Sequence, residues 1–163
     1  MRARLIAVGT RPPAWVREAY ADYTRRLGPG LKLTLLEIAP GPRTAGQSPR
    51  SVSDSARKAV EIEARKLMTA VRADEWVVAL DEHGTQMSTR ALAEWLEARM
   101  QQGRDLAFLI GGPDGFAPQV LTRSDFSLSL SRLTLPHALV RVVLAEQLYR
   151  AMSILKHHPY HRD

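Results

Sequence analysis

The chain has 163 residues, 45% of them hydrophobic and 25% charged, the composition of one ordinary soluble domain with a single core. Lys and Arg number 23 against 17 Asp and Glu, and the resulting net charge of +6, with a pI near 10.2, suits a polyanionic partner such as nucleic acid. The absence of Cys excludes a disulfide framework, a thiolate metal site and a cysteine nucleophile, and the apolar run at residues 5–8 is too short for a signal segment or membrane span, so a cytoplasmic location is expected.

Leu5, Ile6, Ala7 and Val8 read as a buried strand ending at Gly9. Pro12 and Pro13 then open a helix in which Trp15, Ala19, Tyr23 and Leu27 recur at helical spacing, and Gly28-Pro29-Gly30 stops it. Leu31, Leu33 and Leu35 alternate in a second strand over residues 31–38. Residues 39–49, with Pro40, Gly41, Pro42, Gly46 and Pro49 beside Arg43, favour an irregular loop, too short to link domains. Ser53 is placed to cap a helix whose apolar stripe is Ala56, Ala59, Val60, Ala64, Leu67 and Met68. Residues 76–80 form the third strand and residues 81–87 a turn. Ser88 caps a helix carrying Ala91, Leu92, Trp95 and Leu96 inward until Gly103. A fourth strand at 106–110 runs into Gly111-Gly112-Pro113-Asp114-Gly115. A short helical or irregular stretch at 118–122 precedes a fifth strand at 126–130. Val140, Val143, Leu144, Leu148 and Ala151 line a last helix that Pro159 prevents from continuing. Trp15, Trp76 and Trp95 all fall on inward faces and are assigned to the core. Strands alternating with helices specify an α/β domain spanning 1–163, with a mainly parallel sheet, helices on both faces and ligand sites beyond the carboxyl ends of the strands.

Three segments have residues suited to chemistry. The glycine loop after the fourth strand admits either a tight turn or a ligand at the backbone, and its position after a buried strand favours the ligand. Pro113 spoils a dinucleotide fingerprint, and no G-K-[ST] follows to make a phosphate loop. Residues 129–137 place small hydroxyl side chains and amides between strand and helix, as an ordinary capped connection or a cradle for a polar ligand. The tail brings His157, His158, Tyr160, His161 and Arg162 together, either as a solvated terminus or as an RNA-binding element that stacks bases and neutralises phosphate. A zinc site on its histidines is disfavoured, because Pro159 disrupts helical ligand spacing and no Cys completes the set.

Leu5-Ile6-Ala7-Val8-Gly9-Thr10, Ile110-Gly111-Gly112-Pro113-Asp114-Gly115, Leu133-Thr134-Leu135-Pro136-His137, Leu139-Val140-Arg141 and His158-Pro159-Tyr160-His161-Arg162 resemble the RlmH family, with similar spacing along the whole chain. The resemblance implies a SPOUT fold with a C-terminal trefoil knot, a homodimer, and methyl transfer from S-adenosylmethionine to N3 of a pseudouridine in 23S rRNA of the assembled ribosome. General folding rules argue against threaded chains, so the knot follows from the likeness alone. By position, the methyl donor is expected at Leu80, Gly111 and the backbone of Leu130, Ser131, Arg132, Leu133, Thr134 and Leu135. Three positions depart from the family: Asp114 where Glu is common, Ala138 where Pro often follows the His, and Arg132 inside the donor loop. Pseudouridine N3 must lose an imide proton to attack the sulfonium methyl, so His137 and His161 are candidate bases and Arg141 and Arg162 candidate stabilisers of the anion. Tyr160 and Arg162 are candidate RNA contacts. No metal is expected, since the sulfonium is already an activated donor. A non-catalytic RNA binder would also explain the charge and tail, and donor binding separates it from an enzyme. A nucleotide-dependent oxidoreductase is opposed by the missing fingerprint.

Overall fold

In the computed structural model, which describes residues 1–44 and 49–160 (at 49–52 the backbone alone), five parallel strands form one sheet in the order β2-β1-β4-β3-β5. The strands are β1 (Arg2–Val8), β2 (Lys32–Ile38), β3 (Trp76–Gln86), β4 (Leu106–Ile110) and β5 (Phe126–Ser129). The helices are α1 (Ala14–Arg26), α2 (Pro49–Ala70), α3 (Thr89–Gln101), α4 (Pro118–Arg123) and α5 (His137–Leu155). Parallel pairing needs crossover connections, and the helices that supply them cover both faces. The central strands therefore bury alternate side chains in two different cores. Leu5, Ala7, Phe108 and Ile110 pack with α1, α3 and α5, while Ile6, Val8, Ala107 and Leu109 pack with α2 and α4. This two-sided burial is why β1 and β4 read as unbroken apolar runs.

The structure redraws four local details. α1 turns Val16 and Tyr20 into the core, keeps the expected Leu27 buried and Tyr23 packed against it, and leaves Trp15 55% exposed, so only the first two positions of the stripe shift by one residue, about 100°, from Trp15 and Ala19. Trp76 and Trp95 remain partly buried against the core, with the Arg99 guanidinium 4.4 Å from the Trp76 ring. α2 begins at Pro49, whose fixed φ suits a first helical position, and Ser53 lies inside the helix rather than at its cap. β3 does not turn away at residue 81: Leu80 and Thr85 both pair with Leu128, so residues 81–84 bulge outward before the strand resumes beside β5. α5 ends before Pro159. His157 adopts φ +52° and the His158 amide donates to Ser153 O at 2.8 Å, a Schellman turn that satisfies the last carbonyls with His in the place usually held by Gly. The caps of α3 are as expected: Ser88 Oγ accepts from the Ala91 amide at 3.1 Å, and Gly103 takes φ +71° just past the helix.

Candidate active site

The carboxyl ends of β3, β4 and β5 open together onto a cleft of about 200 Å³. Its walls combine apolar Leu80, Ile110, Leu130, Leu135 and Val140 with the glycine loop, the 129–135 loop and the carboxylates of Asp81 and Glu82. In a parallel sheet the strand ends are where backbone groups stand free of the ladder, which is why loops there, rather than strands, hold ligands. The glycine loop closes on itself through a Gly112–Gly115 bridge, and the Gly115 amide donates to Gly112 O at 3.1 Å. A Cβ at Gly111 would stand 2.9 Å from Gly115 O, so glycine is required there by the loop's own closure before any ligand arrives. Opposite, Ser129 Oγ donates to Ser131 O at 3.0 Å and Ser131 Oγ accepts from the Leu133 amide at 2.9 Å. These short-range bonds turn the chain sharply and leave Leu133 76% exposed at the rim.

Leu80, Gly111, Leu130, Ser131, Leu133, Thr134, Leu135 and His137 all line this one cleft. Arg132 is exposed and does not line it. Asp81, Glu82 and Phe116 line it too, and none of them is among the residues expected there. A turn at 81–87 would carry the acidic pair away from the strand end, whereas the bulged strand keeps it there; a carboxylate directly after a buried strand is the signal in the sequence.

His137, the first residue of α5, reaches toward the end of β1 as well. A Cβ on Gly9 would lie 3.6 Å from its Nε2 and 3.4 Å from Nη2 of Arg141. Arg141 is 2% exposed, and its guanidinium donates to Glu37 Oε1 and to Gly9 O, both at 2.6 Å. It therefore ties β1, β2 and α5 together and presents no free cation to the cleft. Burial raises the pKa of the neighbouring Tyr20 hydroxyl, with the Arg141 charge opposing that shift.

Tyr160 folds back along α5. Its hydroxyl donates to Glu146 Oε1 at 3.2 Å, its ring centroid lies 4.5 Å from that of Tyr149, and the Arg150 guanidinium stands 4.8 Å from the ring. Burial, with bonding to Tyr23, pushes its pKa up to about 12. Glu146 is nine residues beyond His137, roughly 13 Å along the helix, so Tyr160 is not brought to the cleft of its own chain. His161 and Arg162 lie outside the described residues. Among the described residues, no cluster of His and acidic side chains is placed to hold a metal, and no helix is long and apolar enough to cross a membrane.

A family model described as predicted SPOUT methyltransferase matches residues 1–161. The chain is 51% identical over 163 residues to ribosomal RNA large subunit methyltransferase H of Thiobacillus denitrificans, covering 100% of both chains. It is 49% identical over 162 residues to the protein of the same name in Stenotrophomonas maltophilia, covering 99% of both. A probable methylase family protein from Haemophilus influenzae superposes with a TM-score of 0.54 at 15% identity, over 95% of this chain and 66% of the other, a likeness of fold.

Proposed function

The chain belongs to the SPOUT methyltransferase family, and on that premise we propose that it transfers the methyl group of S-adenosylmethionine to N3 of a pseudouridine in 23S rRNA. It does so in the assembled ribosome, as a cytoplasmic homodimer of single-domain chains carrying the family's trefoil knot. The cleft at the carboxyl ends of β3, β4 and β5 is the observation that supports this most, because it joins eight of the residues expected at the site across more than fifty positions of sequence. Its chemistry fits the donor: apolar walls at Leu80, Ile110, Leu130 and Leu135 suit an adenine face, and Asp81 and Glu82 suit ribose hydroxyls and a cationic amino acid end. The donor supplies an electrophilic methyl group, and the chain's residues supply placement, charge and proton removal.

His137, at the boundary between the cleft and the end of β1, is positioned to receive the imide proton of the target base. Arg141 is assigned as a positioning residue that, anchored on Glu37, holds Gly9 beside His137. Arg132, exposed on the rim loop, is placed for RNA phosphate. The homodimer is supported by α5, where half-buried Leu139, Val142 and Val143 form a stripe at helical spacing that stands outside both core clusters. Because Tyr160 lies far along α5 from its own cleft, His161 and Arg162 are assigned to the cleft of the second subunit across such an interface.

The test is methyl transfer from labelled S-adenosylmethionine to ribosomes followed by mapping of the modified nucleotide, with N3-methylpseudouridine in 23S rRNA expected; no transfer to 23S rRNA would overturn the proposal. Deleting residues 160–163 should leave donor affinity within a few-fold while the rate falls by at least ~100-fold. Val143→Glu should yield a monomer in sedimentation.

A further inference from the structure

Beside the cleft, on the α2 face of the sheet, lies a second charged group that none of the foregoing chemistry uses. Glu63, inside α2, is 2% exposed. Its Oε1 accepts from the Gly41 amide at 2.9 Å and from Nη1 of Arg43 at 2.6 Å. Nε of the same Arg43 donates to Oδ2 of Asp114, in the glycine loop, at 2.8 Å. Backbone packs closely against both the carboxylate and the helix that holds it. A Cβ on Gly112 would stand 2.7 Å from Glu63 Oε2, and one on Gly41 would stand 2.5 Å from Ala59 O. Residues 39–44 are tied to α2 at two further points, Lys66 Nζ to Ala39 O at 3.0 Å and the Thr44 amide to Ser55 Oγ at 2.9 Å.

We infer that Glu63, Arg43 and Asp114 are positioning residues that couple the glycine loop of the donor cleft to the 39–44 segment, so that donor binding and the ordering of that segment favour each other. The carboxylate is fixed by a rigid helix. Arg43 divides its guanidinium between that fixed point and the loop that faces the donor, and it belongs to the segment being ordered. A displacement of the glycine loop therefore either breaks the Arg43–Asp114 bond or carries Arg43 with it. Burial of Glu63 makes the first anchor costly to break, whereas Asp114 is 42% exposed and is the end that yields. Bonding to Glu63, and then to Asp114, raises the Arg43 pKa, so the cation persists throughout the working pH range. Coupling of this kind is reciprocal: whatever the segment's order adds to donor affinity, the donor returns to the segment.

The inference rests on the donor occupying the glycine-loop cleft, and one experiment separates the two claims. Calorimetry with S-adenosylmethionine is run on the full-length protein and on Asp114→Ala and Asp114→Glu, together with amide hydrogen exchange with and without the donor. The wild type should bind, and the donor should slow exchange at Gly41 and Thr44. Asp114→Ala should bind about fivefold more weakly, at the low end of couplings between sites, and lose that protection. Asp114→Glu should restore affinity and protection. A wild-type protein that binds the donor, with an Asp114→Ala variant that binds equally well or keeps the protection, overturns the coupling alone. A wild-type protein that does not bind the donor overturns the site assignment and the coupling with it.

Discussion

Two buried carboxylates hold guanidinium groups at opposite ends of the sheet, and they differ in what else they hold. At the amino end, Glu75 is 1% exposed and accepts from Nε of Arg4 at 2.6 Å and from the Arg72 amide at 2.8 Å, while Arg4 Nη2 also donates to Ala70 O at 2.8 Å. Every side-chain partner of the pair belongs to β1, to the end of α2 or to the connection from α2 into β3, so the pair is a closed staple. At the carboxyl end, Glu63 and Arg43 make the same kind of bond, but the third member, Asp114, sits on a loop that lines the cleft. The same chemistry serves stability where its partners are fixed elements and serves a site where one partner borders the ligand.

Breaking the staple gives the largest expected effect. Arg4→Ala leaves a buried carboxylate without its cation, which costs about 3–5 kcal/mol. For a chain of this size that lowers the melting temperature by roughly 6–20 °C. Donor affinity of the folded protein should not change; a loss of affinity measured below the transition would erase the distinction between the two ends. Glu63→Gln keeps the shape but removes the charge, at a cost of about 1–2 kcal/mol, because the Arg43 it abandons still reaches water and Asp114. Here donor affinity should fall together with stability. Thermal melts with and without S-adenosylmethionine check this: the donor-induced rise in melting temperature should shrink in Glu63→Gln and persist in Arg4→Ala.

The smallest effect tests whether the amino end is purely structural. Burial works to raise the Asp105 pKa, but its bonds from the Arg2 amide and guanidinium outweigh that and leave it lowered. A lowered carboxylate pKa contributes stability that is fully present above its ordinary value, near pH 4, and is lost as pH falls through the folded value. Asp105→Asn should therefore flatten the decline of melting temperature below about pH 4 and leave it nearly unchanged at pH 7 beyond the loss of a half-exposed pair. An unaltered acid limb would mean that the bonds to Arg2 contribute nothing.

Much of the site was legible because its parts are marked locally. Glycines after an apolar run, and hydroxyl residues between a strand and a helix, announce loops at strand ends, and eight residues chosen on those grounds and on family likeness do meet in one cleft. The pairing of Arg141 is concealed by the chain, because its partner Glu37 is 104 residues away and nothing near either residue marks the pair. In the sequence Arg43 is only a charge in a loop, because its partners Glu63 and Asp114 come from two other segments.

The sequence by itself determined the alternation of strands and helices, the parallel sheet buried on both faces, and the position of the ligand loops, since hydrophobic period, caps and glycines act over a few residues and are written where they act. Tertiary structure alone decided the rotation of α1 that exposes Trp15, the continuation of β3 through its bulge to pair with β5, and the assignment of each guanidinium to its carboxylate. Those outcomes depend on which surfaces and charges arrive beside one another when distant segments pack. A side chain's local pattern fixes the element it joins, whereas its partner is fixed by the energy of burial and ion pairing that only the assembled sheet can supply.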